Sequence, residues 1–256
     1  MVKTWPHLSI SCKEKVGINM AIYALIGGKV NREVLNNRIE ARLLGLINKE
    51  VPRVLFIPFA KEDEEKSVKN FLDLMKGLRC TIDILYKNDI NLFESYLNAA
   101  DMLYIGGRVF DDLMEIFTKH DLDQILVKHQ NDNKVFVGLS AGAMLFAKIS
   151  MGDKYMYTDN FHTYNYKMVK GIGILNISIC PHYQREDLII YNDELRVYGF
   201  PSFGIEEDTC VVIDGNNFYC LKDDTKCSIY YFEPKKDYLM TSLYEGEIYE
   251  NKNIRS

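Results

Sequence analysis

A serine lies between two glycines in the stretch KVFVGLSAGAM, residues 134–144. The spacing is Gly-x-Ser-x-Gly, with Ser140 at its centre and Gly138 and Gly142 on either side. The apolar run before the serine predicts a buried strand, and the residues after it predict a helix. Such a strand-to-helix turn can expose a serine hydroxyl for nucleophilic attack. Small residues can also be needed at a tight turn for steric reasons alone, so the hypothesis depends on whether the chain supplies a base.

Histidine is the usual base for a serine nucleophile, and the chain has five histidines. His7 lies in an irregular N-terminal segment and His162 in an aromatic, polar stretch. His120 and His129 lie in a charged helical stretch, where we expect solvated side chains. His182 differs, because it follows the apolar run ILNISIC and a proline. A rigid strand end can direct such a side chain into a site, which makes His182 the preferred base.

A carboxylate is needed to orient the base. The stretch GIEEDTCVVIDG places Glu206, Glu207 and Asp208 directly before an apolar strand. The pattern does not choose among them, and three acids there also fit a polar strand entrance. Two aspartates between the serine and the histidine, Asp153 and Asp159, are alternatives.

The elements that would position these residues alternate between apolar runs and amphipathic stretches. Five apolar runs in the first 140 residues predict strands, and helical spacing predicts helices between them, including one from residue 141 to 150. Near-continuous apolar strands in this alternation favour an α/β protein with a parallel sheet covered by helices on both faces. After residue 150 we expect a loop or short hairpin, a strand ending at His182, a helix over 185–198, a hairpin that turns at Asp214–Asn217, and a further strand. One domain over residues 1–256 is the economical interpretation, with 1–19 as an irregular extension.

Composition limits the class of protein. The net charge of −5 argues against a nucleic-acid partner, and no apolar run approaches the roughly 18 residues of a membrane span. The N-terminus has no apolar region typical of a secretory signal. The six cysteines are irregularly spaced and form no C-x-x-C pair, which disfavours a zinc site and favours reduced thiols in a cytoplasmic protein.

Four motifs, in this order, resemble peptidase family S51, the group that contains dipeptidase E and cyanophycinase. They are YIGGRVF, GLSAGAM, GIGIL followed by PHY, and GIEEDTCVVIDG, and the resemblance covers about residues 20–215. It implies a class I glutamine-amidotransferase-like, flavodoxin-like α/β fold with a C-terminal β-hairpin. It also implies a serine peptidase that needs no metal ion and no organic cofactor.

The resemblance implies a role for each matching residue. Ser140 is the nucleophile, His182 the base and Glu207 the acid, with Glu206 as the alternative acid. The backbone N–H groups of Gly107 and Ala141 form the oxyanion hole. The chain order of serine, histidine and acid differs from that of α/β-hydrolases, in which the acid precedes the histidine.

The substrate implied by the resemblance is a short peptide with an acidic residue on the acyl side, since both named family members cut after an aspartyl unit. A cation would recognise it, and Arg108 ranks first because it follows the Gly-Gly of the oxyanion loop. Arg185, three residues after His182, is the second candidate. The family often has Asn at the position of Arg108, so the departure bears on selectivity.

Other functions remain open from the sequence. One is an esterase or amidase that uses the same serine, and another is a non-catalytic binding protein that keeps the fold. A Cys180 nucleophile is disfavoured, although Cys180 and His182 are spaced to share one face of a strand, because a buried structural thiol fits the run better. We expect no nucleic-acid or membrane partner. The oligomeric state is open, with a homodimer as one alternative.

Overall fold

A computed structural model of the chain describes residues 21–29, 36–59, 64–153, 166–184, 188–234 and 239–255. The expected N-terminal extension, His7, His162, Asp159 and Arg185 lie outside the described residues. The strands are β1 (Ile22–Ile26), β2 (Arg53–Ile57), β3 (Thr81–Ile84), β4 (Met102–Ile105), β5 (Val135–Leu139), β6 (Ala147–Asp153), β7 (Tyr166–Val169), β8 (Leu175–Pro181), β9 (Ser202–Ile205), β10 (Thr209–Asp214), β11 (Asn217–Lys222), β12 (Ile229–Glu233), β13 (Leu239–Ser242) and β14 (Tyr249–Glu250). The α-helices are α1 (Arg38–Leu44), α2 (Glu64–Met75), α3 (Phe93–Ala99), α4 (Phe110–Lys119), α5 (Leu122–His129), α6 (Ala141–Phe146) and α7 (Leu188–Tyr198), and a 3₁₀ helix spans Lys87–Leu92.

The first sheet has the strand order β14-β11-β10-β1-β5-β4-β2-β3. Strands β1 to β5 are parallel to one another, as the alternation of strands and helices predicts. The sheet is mixed rather than wholly parallel, because β10 pairs antiparallel with β1 and β11 pairs antiparallel with β10. The expected hairpin is therefore present, and it extends the sheet next to its first strand.

Both faces of this sheet are buried along its central strands, including β1, β4 and β5, which explains why those strands read as continuous apolar runs. Along β1, Tyr23 and Leu25 enter the hydrophobic core on one face, and Ile22, Ala24 and Ile26 enter the core on the other. Helices α1 and α2 cover the second face, while α4, α5 and α6 contribute to the first. The carboxyl ends of β1, β4 and β5 consequently meet at one edge, where open α/β sheets bind ligands.

A second sheet, with the order β13-β12-β9-β8-β6-β7, was not expected from the sequence. The predicted helix over 141–150 ends at Phe146, and the chain continues as β6. Strand β6 pairs parallel with β8 and antiparallel with β7, so its backbone groups are bonded in the sheet. The apolar run AMLFAKI suits a buried helix or a buried strand equally well, so its pattern could not show where the helix ends.

The remaining predicted strands and helices are present with shifted ends, and the expected loop or hairpin after residue 150 lies largely outside the described residues. The charged stretch before β5 forms two helices, α4 and α5, with the break at residues 120–121. Helix α7 falls within the predicted 185–198. None of the helices in the described ranges has the length and apolar character needed to cross a membrane.

Candidate active site

Ser140 lies at the turn between β5 and α6 in a strained backbone conformation, with φ 53° and ψ −112°. Non-glycine residues with such angles cost about 1–3 kcal/mol and often occur at functional sites. The flanking glycines are needed for space, because a methyl group on Gly138 would lie 2.3 Å from the carbonyl oxygen of Gly142. Ser140 is the N-cap of α6, yet its hydroxyl makes no capping hydrogen bond. A serine that served only the turn would be expected to cap the helix.

The Ser140 hydroxyl instead meets the predicted base. Its Oγ lies 2.6 Å from Nε2 of His182, and Nδ1 of His182 lies 2.5 Å from Oε1 of Glu207. The side chains of His182 and Glu207 keep 48% and 36% of their surface exposed, so this chain of hydrogen bonds opens to solvent. The structure therefore brings together the three residues that the sequence analysis selected.

The two neighbouring glutamates have different partners. The backbone N–H of Ser228, just before β12, donates to Oε2 of Glu206 at 2.7 Å. The backbone carbonyl of Glu206 accepts from the hydroxyl of Thr209 at 2.7 Å. Glu206 thus joins the start of β12 to the turn between β9 and β10, whereas Glu207 faces the histidine.

Three successive carbonyl groups at the end of β1, those of residues 26–28, hold the parts of this arrangement. They accept hydrogen bonds from the backbone N–H groups of Ser140 at 2.8 Å, His182 at 3.3 Å and Asp208 at 2.9 Å, respectively. The three donor residues have positive φ values of 53°, 52° and 56°. Each incoming segment therefore turns sharply where it meets β1, and the side chains of Ser140, His182 and Glu207 project from these turns.

Gly107, predicted to donate to an oxyanion, lies directly beside the serine. A methyl group on Gly107 would lie 2.8 Å from Cβ of Ser140 and 2.6 Å from the carbonyl oxygen of Leu139. Ala141, the other predicted donor, is the first residue of α6 and is buried. Arg108 directly follows Gly107 in the chain and is exposed, so it lies next to the residue that approaches the serine.

The other candidates have different surroundings. His120 is exposed, as expected. The expectation for His129 was wrong: it is buried, with Nδ1 2.7 Å from Oδ2 of Asp132 and Nε2 3.2 Å from Oε1 of Glu94. Cys180 is buried and its thiol lies 3.6 Å from the sulfur of Met151, which agrees with a structural thiol.

Sequence reasoning missed one residue of the site, Gly28. A methyl group at this position would lie 2.1 Å from Oε2 of Glu207 and 2.6 Å from Cε1 of His182. Only a residue without a side chain leaves room for the pair. The Gly-Gly that ends the first apolar run was the available signal, since it occupies the same sheet edge as the Gly-Gly before Arg108.

The chain matches a known protein family over most of its length. The model of peptidase family S51 matches residues 22–221. The chain belongs to this family. The match includes every residue of the site described above, and it confirms the resemblance drawn from the motifs. The protein is accordingly a serine-type peptidase.

Relatives and solved structures agree with this assignment. An uncharacterized peptidase of Bacillus subtilis, YgaJ, is 27% identical over 167 residues, which are 64% of this chain and 69% of that protein. A peptidase from an acI-B1 actinobacterium has a similar structure, with a TM-score of 0.65 and 18% identity, covering 91% of this chain and 97% of that one. A putative peptidase E protein from Listeria monocytogenes aligns with a TM-score of 0.54 and 16% identity over 79% and 98% of the two chains. The predicted α/β fold is thereby confirmed.

Proposed function

We propose that this family S51 peptidase hydrolyses short peptides through a Ser140–His182–Glu207 triad and an acyl-enzyme. The observation that carries the proposal is the continuous hydrogen-bonded chain from Oγ through the imidazole to the carboxylate, at 2.6 and 2.5 Å. Both distances are within the reach that proton transfer requires. The absence of a capping bond to the Ser140 hydroxyl supports the same role.

The reaction follows from this order of groups. Nε2 of His182 accepts the proton of the Ser140 hydroxyl while Oγ attacks the scissile carbonyl carbon. The Glu207 carboxylate accepts a hydrogen bond from Nδ1–H of His182, which fixes the tautomer of the imidazole and stabilises the imidazolium. The imidazolium then protonates the leaving amine, and the C–N bond breaks to give the acyl-enzyme. In the second half, His182 removes a proton from water as the water oxygen attacks the acyl carbon. The C–Oγ bond then breaks and the imidazolium returns the proton to Oγ, which releases the acid product and regenerates Ser140.

The backbone N–H groups of Gly107 and Ala141 are the proposed donors to the oxyanion. Two features support them: the close approach of Gly107 to Ser140, and the place of Ala141 at the first position of α6, where helix N–H groups lack partners within the helix. Donors fixed in place before the reaction stabilise the developing negative charge without reorganisation.

The proposed substrate preference is an aspartyl residue on the acyl side, read by the guanidinium of Arg108. A guanidinium can hold a carboxylate with two parallel hydrogen bonds. Arg108 is exposed and directly follows Gly107, a proposed donor to the oxyanion, which supports its selection. Arg185 was the second candidate from the sequence and lies outside the described residues.

The direct test is labelling of the wild-type protein with a fluorophosphonate, followed by peptide mapping, together with assays on aspartyl dipeptides and p-nitrophenyl esters. We expect an adduct on Ser140 and dipeptide turnover, both lost in Ser140→Ala. Ser150→Ala is a matched control, because Ser150 is fully buried on β6 and its hydroxyl has no partner among the described residues. Unlabelled wild-type protein without turnover would favour a binding protein, and turnover of esters alone would favour an esterase.

A further inference from the structure

The segment of residues 27–29 forms the surface against which the His182–Glu207 pair rests. Its two glycine carbonyls accept the backbone N–H groups of His182 and Asp208, at 3.3 and 2.9 Å. The Cα of Gly28 packs against both side chains so closely that no Cβ fits. A displacement of this segment would therefore move the base and the acid together.

A buried ionic cluster secures the far end of this segment. The ammonium group of Lys29 lies 2.9 Å from Oε2 of Glu40 and also contacts Oδ2 of Asp223. The exposed fractions of the three side chains are 11%, 2% and 0%. Glu40 also accepts from the hydroxyl of Tyr104 at 3.3 Å, and Asp223 accepts from the backbone N–H of Ile39 at 2.8 Å. The cluster thus joins the end of β1, the first turn of α1, and the residue after β11.

The same cluster reaches the turn that carries the acid. The backbone N–H of Asp223 donates to the carbonyl of Asp208 at 2.9 Å, and Asp208 follows Glu207 directly. The turn at residues 206–208 is therefore bonded on one side to Gly28 and on the other to Asp223. Lys29 connects these two anchors through its own side chain.

Burial and the attraction between opposite charges act against each other in this cluster. Burial disfavours the charged form of Lys29, but Glu40 and Asp223 outweigh it and raise the pKa of the ammonium group. Burial also raises the pKa of Glu40, against the opposing effect of Lys29. Well-packed apolar side chains often stabilise a fold as well as a buried ion pair does, whereas an ion pair imposes a defined geometry.

We propose that Lys29, Glu40 and Asp223 are positioning residues for the reaction of Ser140, His182 and Glu207. They fix the segment 27–29 and the turn 206–208 relative to each other, so that the histidine and the glutamate stay within hydrogen-bond distance. The inference rests on the proposed function and adds to it a set of residues that touch neither the substrate nor the reacting atoms.

The test compares two variants with the wild type. Lys29→Met removes the cation, and the triple variant Lys29→Met/Glu40→Gln/Asp223→Asn also removes the carboxylates that would otherwise be buried without a cation. Steady-state rates are normalised to active sites titrated with the fluorophosphonate. We expect kcat to fall about 10- to 100-fold in both, because a shift of about 1 Å at a reacting group can cost two decades. KM should change by less than about threefold, since the cluster does not contact the substrate.

The normalised kcat separates positioning from stability, because a residue that only stabilises the fold changes the melting temperature and leaves the rate per active site unchanged. Tyr23→Phe is the control: Tyr23 lies at the opposite end of β1 and its hydroxyl donates to the carbonyl of Gln130 at 2.7 Å. It should lower the melting temperature while the normalised kcat stays unchanged.

A wild-type normalised kcat in a folded triple variant would overturn the proposal. So would a failure of both variants to fold, since the cluster would then serve folding rather than placement. Failure of the proposed function gives a different result, namely wild-type protein that turns over no peptide and forms no adduct on Ser140.

Discussion

The neighbouring glutamates of the β9–β10 turn give the sharpest prediction. Glu207→Gln should impair the reaction severely, whereas Glu206→Gln should leave it nearly intact. The two substitutions are chemically identical and one residue apart. They differ only in their partners, which are Nδ1 of His182 for Glu207 and the backbone N–H of Ser228 for Glu206.

The size of the expected loss in kcat follows from the negative charge that Glu207→Gln removes. Its amide oxygen could still accept the Nδ1–H bond, but it would not neutralise the imidazolium that forms in the transition state. Two unit charges about 4 Å apart attract by about 1 kcal/mol in water and about 4 kcal/mol at an effective dielectric constant of about 20. The site is partly exposed, with 48% of the His182 side chain and 36% of the Glu207 side chain accessible, so an intermediate value of about 2–3 kcal/mol applies. The corresponding loss in kcat is about 30- to 150-fold.

The assay measures kcat, kcat/KM and the second-order rate of fluorophosphonate acylation for both variants. In Glu207→Gln, kcat and kcat/KM should fall by the same factor, because the lost interaction exists only in the transition state. In Glu206→Gln the amide oxygen still accepts from Ser228, so we expect rates within about threefold of wild type and a stability loss of about 1 kcal/mol.

Two outcomes would refute the reasoning. If Glu206→Gln were the impaired variant, the acid would be the other glutamate and the reacting conformation of the turn would differ from this structure. If both variants lost activity equally, the turn would act only as a scaffold, and neither carboxylate would have a specific part in the reaction.

Three further predictions concern selectivity, space and pH. Arg108→Ala should lower kcat/KM for an aspartyl dipeptide by about one to two decades, which corresponds to the energy of a charged hydrogen bond, and should leave kcat/KM for an uncharged substrate nearly unchanged. Equal losses on both substrates would mean that Arg108 supports the loop that carries Gly107 instead. Gly28→Ala should lower kcat about a hundredfold by displacing the pair it contacts, and unchanged kcat would contradict the crowding at this position. Burial raises the pKa of Cys220 from 9.0 to about 11, so its contribution to stability is complete below pH 9 and is lost as the pH rises through about 11. Urea unfolding measures the free energy of unfolding at about pH 8 and about pH 10.5. The decrease in this free energy between the two pH values should be about 1–2 kcal/mol smaller in Cys220→Ala than in wild type, and equal decreases would contradict this assignment.

The sequence predicted those parts of the fold whose signals are local. The strands of the parallel region appear as apolar runs because both faces of their sheet are buried, and the hairpin of β10 and β11 appears through its Asp-Gly-Asn-Asn turn. The predicted end of α6 was wrong, because Phe146 and Ala147 continue the same buried apolar run while the backbone changes from helix to strand. The burial of His129 also escaped prediction, since the partner Glu94 comes from α3, 35 residues earlier in the chain.

The candidate site was predictable where residue type and strand position coincide, which holds for Ser140 and His182. The choice between Glu206 and Glu207 was not, because adjacent residues point in different directions and the direction is set by the turn at Asp208, with its φ of 56°. The ionic cluster of Lys29, Glu40 and Asp223 gave no signal at all. Its members are separated by 11 and 183 residues in the chain, and each taken alone resembles an ordinary surface charge.

The carbonyl groups of residues 26–28 explain how one site can be assembled from two sheets. Ser140 leaves the first sheet at β5, His182 leaves the second sheet at β8, and Glu207 lies on the connection from β9 in the second sheet to β10 in the first. Side-chain contacts alone would leave three such segments free to shift against one another. Backbone hydrogen bonds from all three segments to the successive carbonyls of residues 26–28 remove that freedom, since the spacing of the carbonyls fixes the spacing of the donors. The geometry of the proposed triad is thus set by the end of a central strand, and we expect the residues that hold that strand end, Gly28 and Lys29, to affect the reaction although they carry none of its chemistry.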